Sequence, residues 1–326
     1  MVIKLLLNKF KKKNIYIFNI IKYYFAKLFN LNHKFKYNSN FGKVYLDEIN
    51  GGISKVIAFY GSREDDKQIL LKERSESSTL YLDFGSNIGV YPFFVSEMLP
   101  RDSFIVAMEP DIRNHKTLFK NLERCNPNSI FLPFAISNFN GNSQFLISKE
   151  TNLNHLIDKK AKLKLNHVQN IVDIKTISLE NLFNKYIPEK YLNANYNLLL
   201  RMDIEGGEYK VLDSLKELLN KNNFSFNRIS IVYENHPPGE DKNFYKSTLE
   251  ELLKIGFSFK CLISAGGLKI DDLDFLFDKE TRYSYIESDN YIRMRINNPI
   301  QDKSIKALIS EKKLIRYAVL EKINVE

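Results

Sequence analysis

From residue 79 onward, apolar positions follow two alternating rhythms. Short unbroken apolar runs at 79–84, 104–108, 130–134, 198–202, 229–233 and 257–263 read as strands. Between them, apolar residues recur at helical spacing over 88–98, 112–124, 209–219 and 244–255, and Pro100 and Pro127 close the first two helices. Strands that lack polar alternation are covered on both faces, so the pattern predicts an α/β fold: a mainly parallel seven-stranded sheet with helices on both sides. The seventh strand falls at either 273–277 or 291–295. A polar stretch over 137–173 interrupts the alternation. Within it Asn140-Gly141-Asn142, flanked by 144–147 and later by 171–177, predicts an inserted hairpin with a long loop.

Three further segments surround this body, which spans 79–296. In the lead-in, 41–78, residues 42–49 and 55–60 are expected to form short strands around Asn50-Gly51-Gly52. In the tail, 297–326, Ile305, Leu308, Ile309, Ile315 and Val319 lie at helical spacing and predict an exposed amphipathic helix over 305–323. The first 40 residues form an arm of different composition. Its residues 1–37 hold nine lysines, no arginine and no acid, which accounts for the whole net charge of +9 and leaves the remainder formally neutral. A neutral body argues against nucleic acid as partner, because a basic surface is what neutralises phosphates.

The arm's apolar run, 15–29, is interrupted by Asn19, Lys22 and Lys27, so it is too short of uncharged residues to span a bilayer. On a helix, Asn19, Lys22, Ala26, Lys27 and Asn30 make a polar stripe beside Phe18, Ile21, Phe25, Leu28 and Phe29. Such a helix is expected to lie on an anionic membrane surface; docking onto the body is the competing expectation. No small-residue cleavage site follows the run, which argues against a signal peptide. Cys125 and Cys261 stand far apart and the five histidines make no H-x-x-x-H pair, so neither a disulfide framework nor a paired metal motif is read. A cytoplasmic protein, peripheral at the inner membrane face, is the expectation.

Candidate chemistry lies at strand ends, where open α/β sheets bind ligands. Asp83 ends the first strand and opens Asp83-Phe84-Gly85-Ser86-Asn87-Ile88-Gly89, in which Gly85 and Gly89 allow a tight turn into a helix N-terminus. Glu109 ends the second strand, 20 residues after Gly89, where an acid can accept from both hydroxyls of a ribose. The spacing Asp-x-Gly-x-Asn-x-Gly differs from the G-x-G-x-x-G of nicotinamide dehydrogenases. Asp203 ends the fourth strand and His236 follows the fifth; each is a candidate to orient an acceptor or take its proton, with Glu205 and His155 behind them. Asp203, Glu205 and Glu208 could also ligate a divalent cation, but acids before a helix have an electrostatic explanation without a metal, and none is assigned.

These residues carry a resemblance to the FkbM-type methyltransferases, through Leu82 to Gly89, Ala107-Met108-Glu109-Pro110 and Arg201 to Glu208. Ala135-Ile136-Ser137, Thr176 to Glu180 and Glu234-Asn235-His236-Pro237 extend it over about residues 76–265. The resemblance implies a Rossmann-like class I methyltransferase fold and methyl transfer from S-adenosyl-L-methionine to oxygen, commonly a hydroxyl of a sugar, glycan or related natural product. It assigns Asp83, Gly85, Asn87, Gly89, Glu109 and Ala135 to the cofactor, and Asp203 and His236 to catalysis. Ser86 stands where alanine is usual and Arg201 where lysine is usual. The competing functions are methylation of nucleic acid and cofactor binding without catalysis.

Overall fold

The computed structural model describes residues 17–31, 34–47, 52–125, 127–148, 154–157, 168–221, 224–236, 241–276, 282–288 and 291–324. A helix over 17–28 (α1) leads into the hairpin β1 (Lys36–Ser39) and β2 (Gly42–Tyr45), followed by α2 (Ile53–Tyr60) and α3 (Asp65–Lys72). The body then runs β3 (Thr79–Phe84), α4 (Val90–Ser96), β4 (Phe104–Met108), α5 (Ile112–Leu122) and β5 (Asn128–Leu132). A small sheet follows, made of β6 (Ala135–Ser137), β7 (Gly141–Ser148), β8 (His155–Leu156) and β9 (Val168–Ser178), and α6 (Leu179–Tyr186) returns the chain to the body. The second half comprises β10 (Asn197–Met202), α7 (Glu208–Lys221), β11 (Arg228–Glu234), α8 (Lys242–Lys254), β12 (Ser258–Ser264), β13 (Arg282–Ser288), β14 (Tyr291–Asn297), α9 (Gln301–Leu308) and β15 (Ile315–Ile323).

The large sheet has the order β13-β14-β12-β15-β11-β10-β3-β4-β5. From β11 to β5 neighbouring strands run parallel, while β15 is antiparallel to both β11 and β12. Side chains alternate between two cores: Leu80, Leu82 and Phe84 of β3 enter one, Tyr81 the other, and β4 and β10 repeat the pattern. That two-sided burial is why these strands read as unbroken apolar runs. The direction of the chain reverses between β3 and β10, so a crevice opens beyond their carboxyl ends.

Nine strands stand where seven were expected, and three local expectations are corrected. Residues 55–60 are not a strand: they belong to α2, whose buried Ser54, Ile57 and Ala58 are spaced i, i+3, i+4, and left-handed Gly61 ends the helix with its N–H on the Ile57 carbonyl. The hairpin instead forms one step earlier, as Lys36–Ser39 pairs with Gly42–Tyr45; Asn50 and Gly51 lie outside the described residues. Residues 305–323 are not one helix. The helix stops at Leu308, and Ile315–Ile323 is the antiparallel strand inserted between β11 and β12. Neither 273–277 nor 291–295 takes that central place: 274–276 is a short 3₁₀ turn and Tyr291–Asn297 pairs on the outer side of β12, while Phe277 lies outside the described residues. A strand buried on both faces, as Tyr317, Ala318, Val319 and Leu320 are, contains the apolar spacings of a helix as a subset. The inserted hairpin matches expectation, with Gln144 opposite Asp173 and Leu146 opposite Ile171.

Because the tail is a central strand, Leu320→Ala, at a fully buried position, should lower unfolding free energy by roughly 2–5 kcal/mol in urea titration. An exposed helical tail would leave it almost unchanged.

Candidate functional site

The loop after β3 turns through left-handed conformations at Gly85, Asn87 and Gly89. Gly85 and Ser86 donate their N–H groups to the Met108 carbonyl, which ties the loop to the end of β4. A Cβ on Gly85 would lie 2.1 Å from the Asp203 carbonyl oxygen, and one on Gly89 would meet the backbone of Leu118 at 3.2 Å. Both glycines are therefore demanded by protein packing: one lets β3 and β10 close together, the other lets α5 approach. Glu109 braces the turn from β4. Its Oε2 accepts from the Asn87 N–H and its Oε1 from the Asp111 N–H, each at 2.8 Å. Burial pushes its carboxyl up to about 7, against the pull of those two N–H groups.

Beneath the loop lies a buried ionic network. Asp83 is wholly inaccessible; its Oδ1 takes Arg201 Nη1 at 2.9 Å. Burial raises its carboxyl despite Arg201. Arg201 also donates to the Gly85 carbonyl at 2.8 Å and, through Nη2, to Asp203 Oδ2 at 2.7 Å. The Lys67 ammonium of α3, 1% exposed, meets Glu64, Asp203 and Glu234 at 2.9, 2.9 and 3.0 Å. Tyr317 and Tyr91 place ring faces 4.7 and 5.3 Å from it. Arg316 of β15 closes the circuit onto Glu234 and Glu64. Burial disfavours the charged Asp203 carboxylate, but Lys67 and Arg201 outweigh it and hold Asp203 well below the usual carboxylate range.

A second cluster sits beside the first. Buried Glu208 receives the Ile204 and Gly206 N–H groups and contacts His236 Nδ1 at 2.9 Å, while His236 Nε2 lies 3.3 Å from Glu205. Burial works against the imidazolium, but Glu208 and then Glu205 raise His236 to about 10. Burial, with Asp203, Glu234 and Glu208 nearby, raises the Glu205 carboxyl to about 8 even though His236 opposes it. Among the described residues, ligand atoms of Asp203, Glu205 and His236 lie within 4.8 Å of one another, as do those of Glu64, Asp203 and Glu234. The second trio already encloses the Lys67 ammonium, and Glu208 spends its oxygens on backbone N–H groups and His236.

These groups face one cavity of about 1510 Å³, larger than the roughly 300–1,000 Å³ of a single small-ligand site. Gly85, Asn87, Glu109, Ala135, Asp203 and His236 line it, as do Glu205 and His155; Asp83 and Gly89 lie behind its wall. Sequence reasoning missed Arg63 and Glu64 from the lead-in and Arg316 from the tail, along with the buried Lys67 that organises them. No local signal marks them, since Lys67 meets Asp203 and Glu234, and Arg316 meets Glu234 and Glu64, across 82 to 252 residues of chain. Glu234 alone had a cue, because it heads the Glu234-Asn235-His236 stretch at a strand end. The donor set suits S-adenosylmethionine: a loop of exposed backbone beside a buried strand-end carboxylate, in a cavity with room for a second molecule.

A parallel sheet interrupted by the antiparallel β15 between β11 and β12, opening at the β3–β10 switch onto this loop, has the Rossmann-like class I methyltransferase fold. Residues 83–259, more than half of the chain, match the methyltransferase FkbM domain, and the chain belongs to that family. Its methyl donor is S-adenosylmethionine. No curated protein sequence matches the chain. Among solved structures it is similar to a precorrin-6y C5,15-methyltransferase from Geobacter metallireducens, at 11% identity over 80% of this chain and 90% of that one, with a TM-score of 0.33. It is also similar to M. jannaschii TYW2 in complex with AdoMet, at 12% identity over 88% and 86%, with a TM-score of 0.35.

Removing the central cation tests the network. Lys67→Ala removes the cation shared by three clustered carboxylates, leaving them to the peripheral Arg201 and Arg316, and should cost about 3–5 kcal/mol in denaturant titration, the range for breaking a buried ion pair from one side.

Proposed function

We propose that the chain methylates a hydroxyl oxygen of a sugar, glycan or related natural product. The observation that carries this reading is the Glu205–His236 pair, which stands in the same cavity as Glu109 and the glycine loop. An alkyl hydroxyl is a poor nucleophile until its proton leaves, so transfer to oxygen calls for a base near the operating pH. Asp203, the first candidate by position, is too weakly basic for this while Lys67 and Arg201 hold it. The Glu205–His236 pair is better matched, because burial and neighbouring acids raise its carboxyl to about 8 and the Glu208 carboxylate steadies the imidazole from behind. The cavity wall mixes carboxylates, guanidinium groups and amides with apolar side chains such as Phe134, Phe139 and Phe145, and its polar groups suit an acceptor that carries hydroxyls. The formally neutral body favours such an acceptor over nucleic acid.

Bound in this cavity, S-adenosylmethionine supplies an electrophilic methyl group on a positively charged sulfur. Glu109 would accept from the ribose hydroxyls, using lone pairs left after its two backbone contacts, and the Gly85–Asn87 backbone would seat the cofactor's amino-acid end. Buried Asp83 would support that seat from behind the wall, through Arg201 and the Gly85 carbonyl. Transfer to the acceptor oxygen would need its hydroxyl proton to leave, and the Glu205 carboxylate, beside the His236 imidazolium, would take it. Asp203 orients the acceptor. Alignment and exclusion of water supply the rest.

Two measurements test this. By calorimetry, Glu109→Ala should weaken S-adenosylmethionine binding by roughly 1.5–3 kcal/mol for each charge-assisted hydrogen bond lost; unchanged affinity in a folded variant would place the adenosine elsewhere. With methyl-labelled cofactor, source-cell glycan extract and mass spectrometry to identify the product, turnover should rise with pH through about 8 as the base loses its proton. Glu205→Gln and His236→Ala should each slow it by roughly 10² to 10⁴ with cofactor affinity kept. An unaltered pH profile in both variants would remove the pair from the mechanism.

A further inference from the structure

We infer that α1 is a docking face for an anionic lipid surface, a property independent of the acceptor proposed above. The helix is attached to the body by its polar side. Asn19 donates to the Asn38 carbonyl at 2.9 Å, Lys22 to the Lys36 carbonyl at 2.7 Å, and Tyr23 packs edge-on against Tyr37 and Phe59. Asn19, Tyr23 and Ala26 are buried. A helix docked in the ordinary way would bury its apolar face instead. Here Ile17, Phe18, Ile21, Tyr24, Phe25, Leu28 and Phe29 all point outward and are 48–77% exposed.

At about 100° per residue these seven side chains cover a continuous arc of roughly 140°, with Lys22 at one margin and Lys27 at the other. The patch continues onto α2, since Tyr24 packs on Phe59, next to the exposed Tyr60. So many large apolar groups on one exposed helix mark an interaction surface. Charge selects the partner. The sequence contains no acid before Asp47 and has lysines at positions 4, 9, 11, 12, 13, 22, 27, 34, 36 and 43. A second copy of this chain would bring two lysine-rich, acid-free faces together, whereas anionic headgroups complement the lysines and the acyl boundary takes the aromatic and aliphatic side chains. Among the described residues no helix is long and apolar enough to cross a membrane, so the contact is with the surface.

The test is cosedimentation of the full chain with vesicles of phosphatidylcholine, with or without added phosphatidylglycerol, beside Leu28→Asp and Lys27→Glu variants checked for unchanged melting temperature. The wild type should partition onto the phosphatidylglycerol vesicles and only weakly onto phosphatidylcholine alone. Leu28→Asp should weaken binding about tenfold or more, and Lys27→Glu should weaken it less, with an effect that fades at high salt. Failure to bind either vesicle, or equal binding by wild type and Leu28→Asp, overturns the proposal. So does a dimer in analytical ultracentrifugation that Leu28→Asp dissociates, which would give the face to a second copy. None of these outcomes bears on methyl transfer.

Discussion

The placement of the Lys67 ammonium constrains everything around it. A buried cation is tolerated only where opposite charges and hydrogen-bond acceptors surround it, and Glu64, Asp203 and Glu234 do so at hydrogen-bond distance. Those acids come from the approach to α3, the end of β10 and the end of β11. The one group therefore fixes the lead-in against the carboxyl edge of the sheet, and Arg316 draws in β15 through the same two glutamates. Asp83 and Arg201 continue the network under the glycine loop, so the cofactor side and the acceptor side of the cavity rest on one electrostatic frame.

That frame divides the acids of the cavity into different chemical types. Asp203 sits directly against two cations and stays ionised far below neutrality. Glu205, two residues later and in the left-handed region, faces other acids and a partly buried wall, and its carboxyl rises to about 8. Glu109, which has backbone N–H groups but no cation among its partners, rises to about 7. Neighbouring carboxylates with pKa values driven apart are what acid–base roles require. The difference arises from which of them Lys67 and Arg201 can reach.

The sequence displayed those parts of the fold whose signal is local. Two-sided strands, their intervening helices and the glycine turn were legible because each is a run or spacing within a dozen residues. The site's strand-end residues Glu109, Asp203 and His236 followed from them. Segment 55–60 reads as a strand because Val56, Ile57, Phe59 and Tyr60 favour strands by type, while the burial of Ser54, Ile57 and Ala58 at i, i+3, i+4 favours a helix, and packing decides. The tail was misread for the opposite reason: β15 is apolar on both faces, and such a run contains helical spacings without being a helix. Gly85 reads as a turn residue from sequence, and the structure adds a second demand for it, because a Cβ there would collide with the Asp203 carbonyl. Lys67 was invisible, since nothing in Asp65-Asp66-Lys67-Gln68 distinguishes a lysine that will be buried among acids from distant strands from one that stays in water.

The two segments that looked like accessories turn out to complete the site. Strands β3, β4 and β5 with α4 and α5 are contiguous in sequence and build the cofactor loop from local connections. The acceptor side is different. Glu234 gains its Arg316 partner only when the last strand has inserted between β11 and β12, and that insertion also brings Glu321 against Arg74 and Ser230. Each of these contacts spans 82 residues or more, so its loop-closure entropy is offset only once the surrounding sheet is in place. The lead-in and the tail are thus joined at two levels, by Glu64, Lys67 and Arg316 at the carboxyl edge of the sheet and by Arg74 and Glu321 toward the amino end of β11. The glycine-loop wall of the cavity is local and reads as a motif; the opposite wall is assembled from distant segments, and its chemistry exists only in the folded protein.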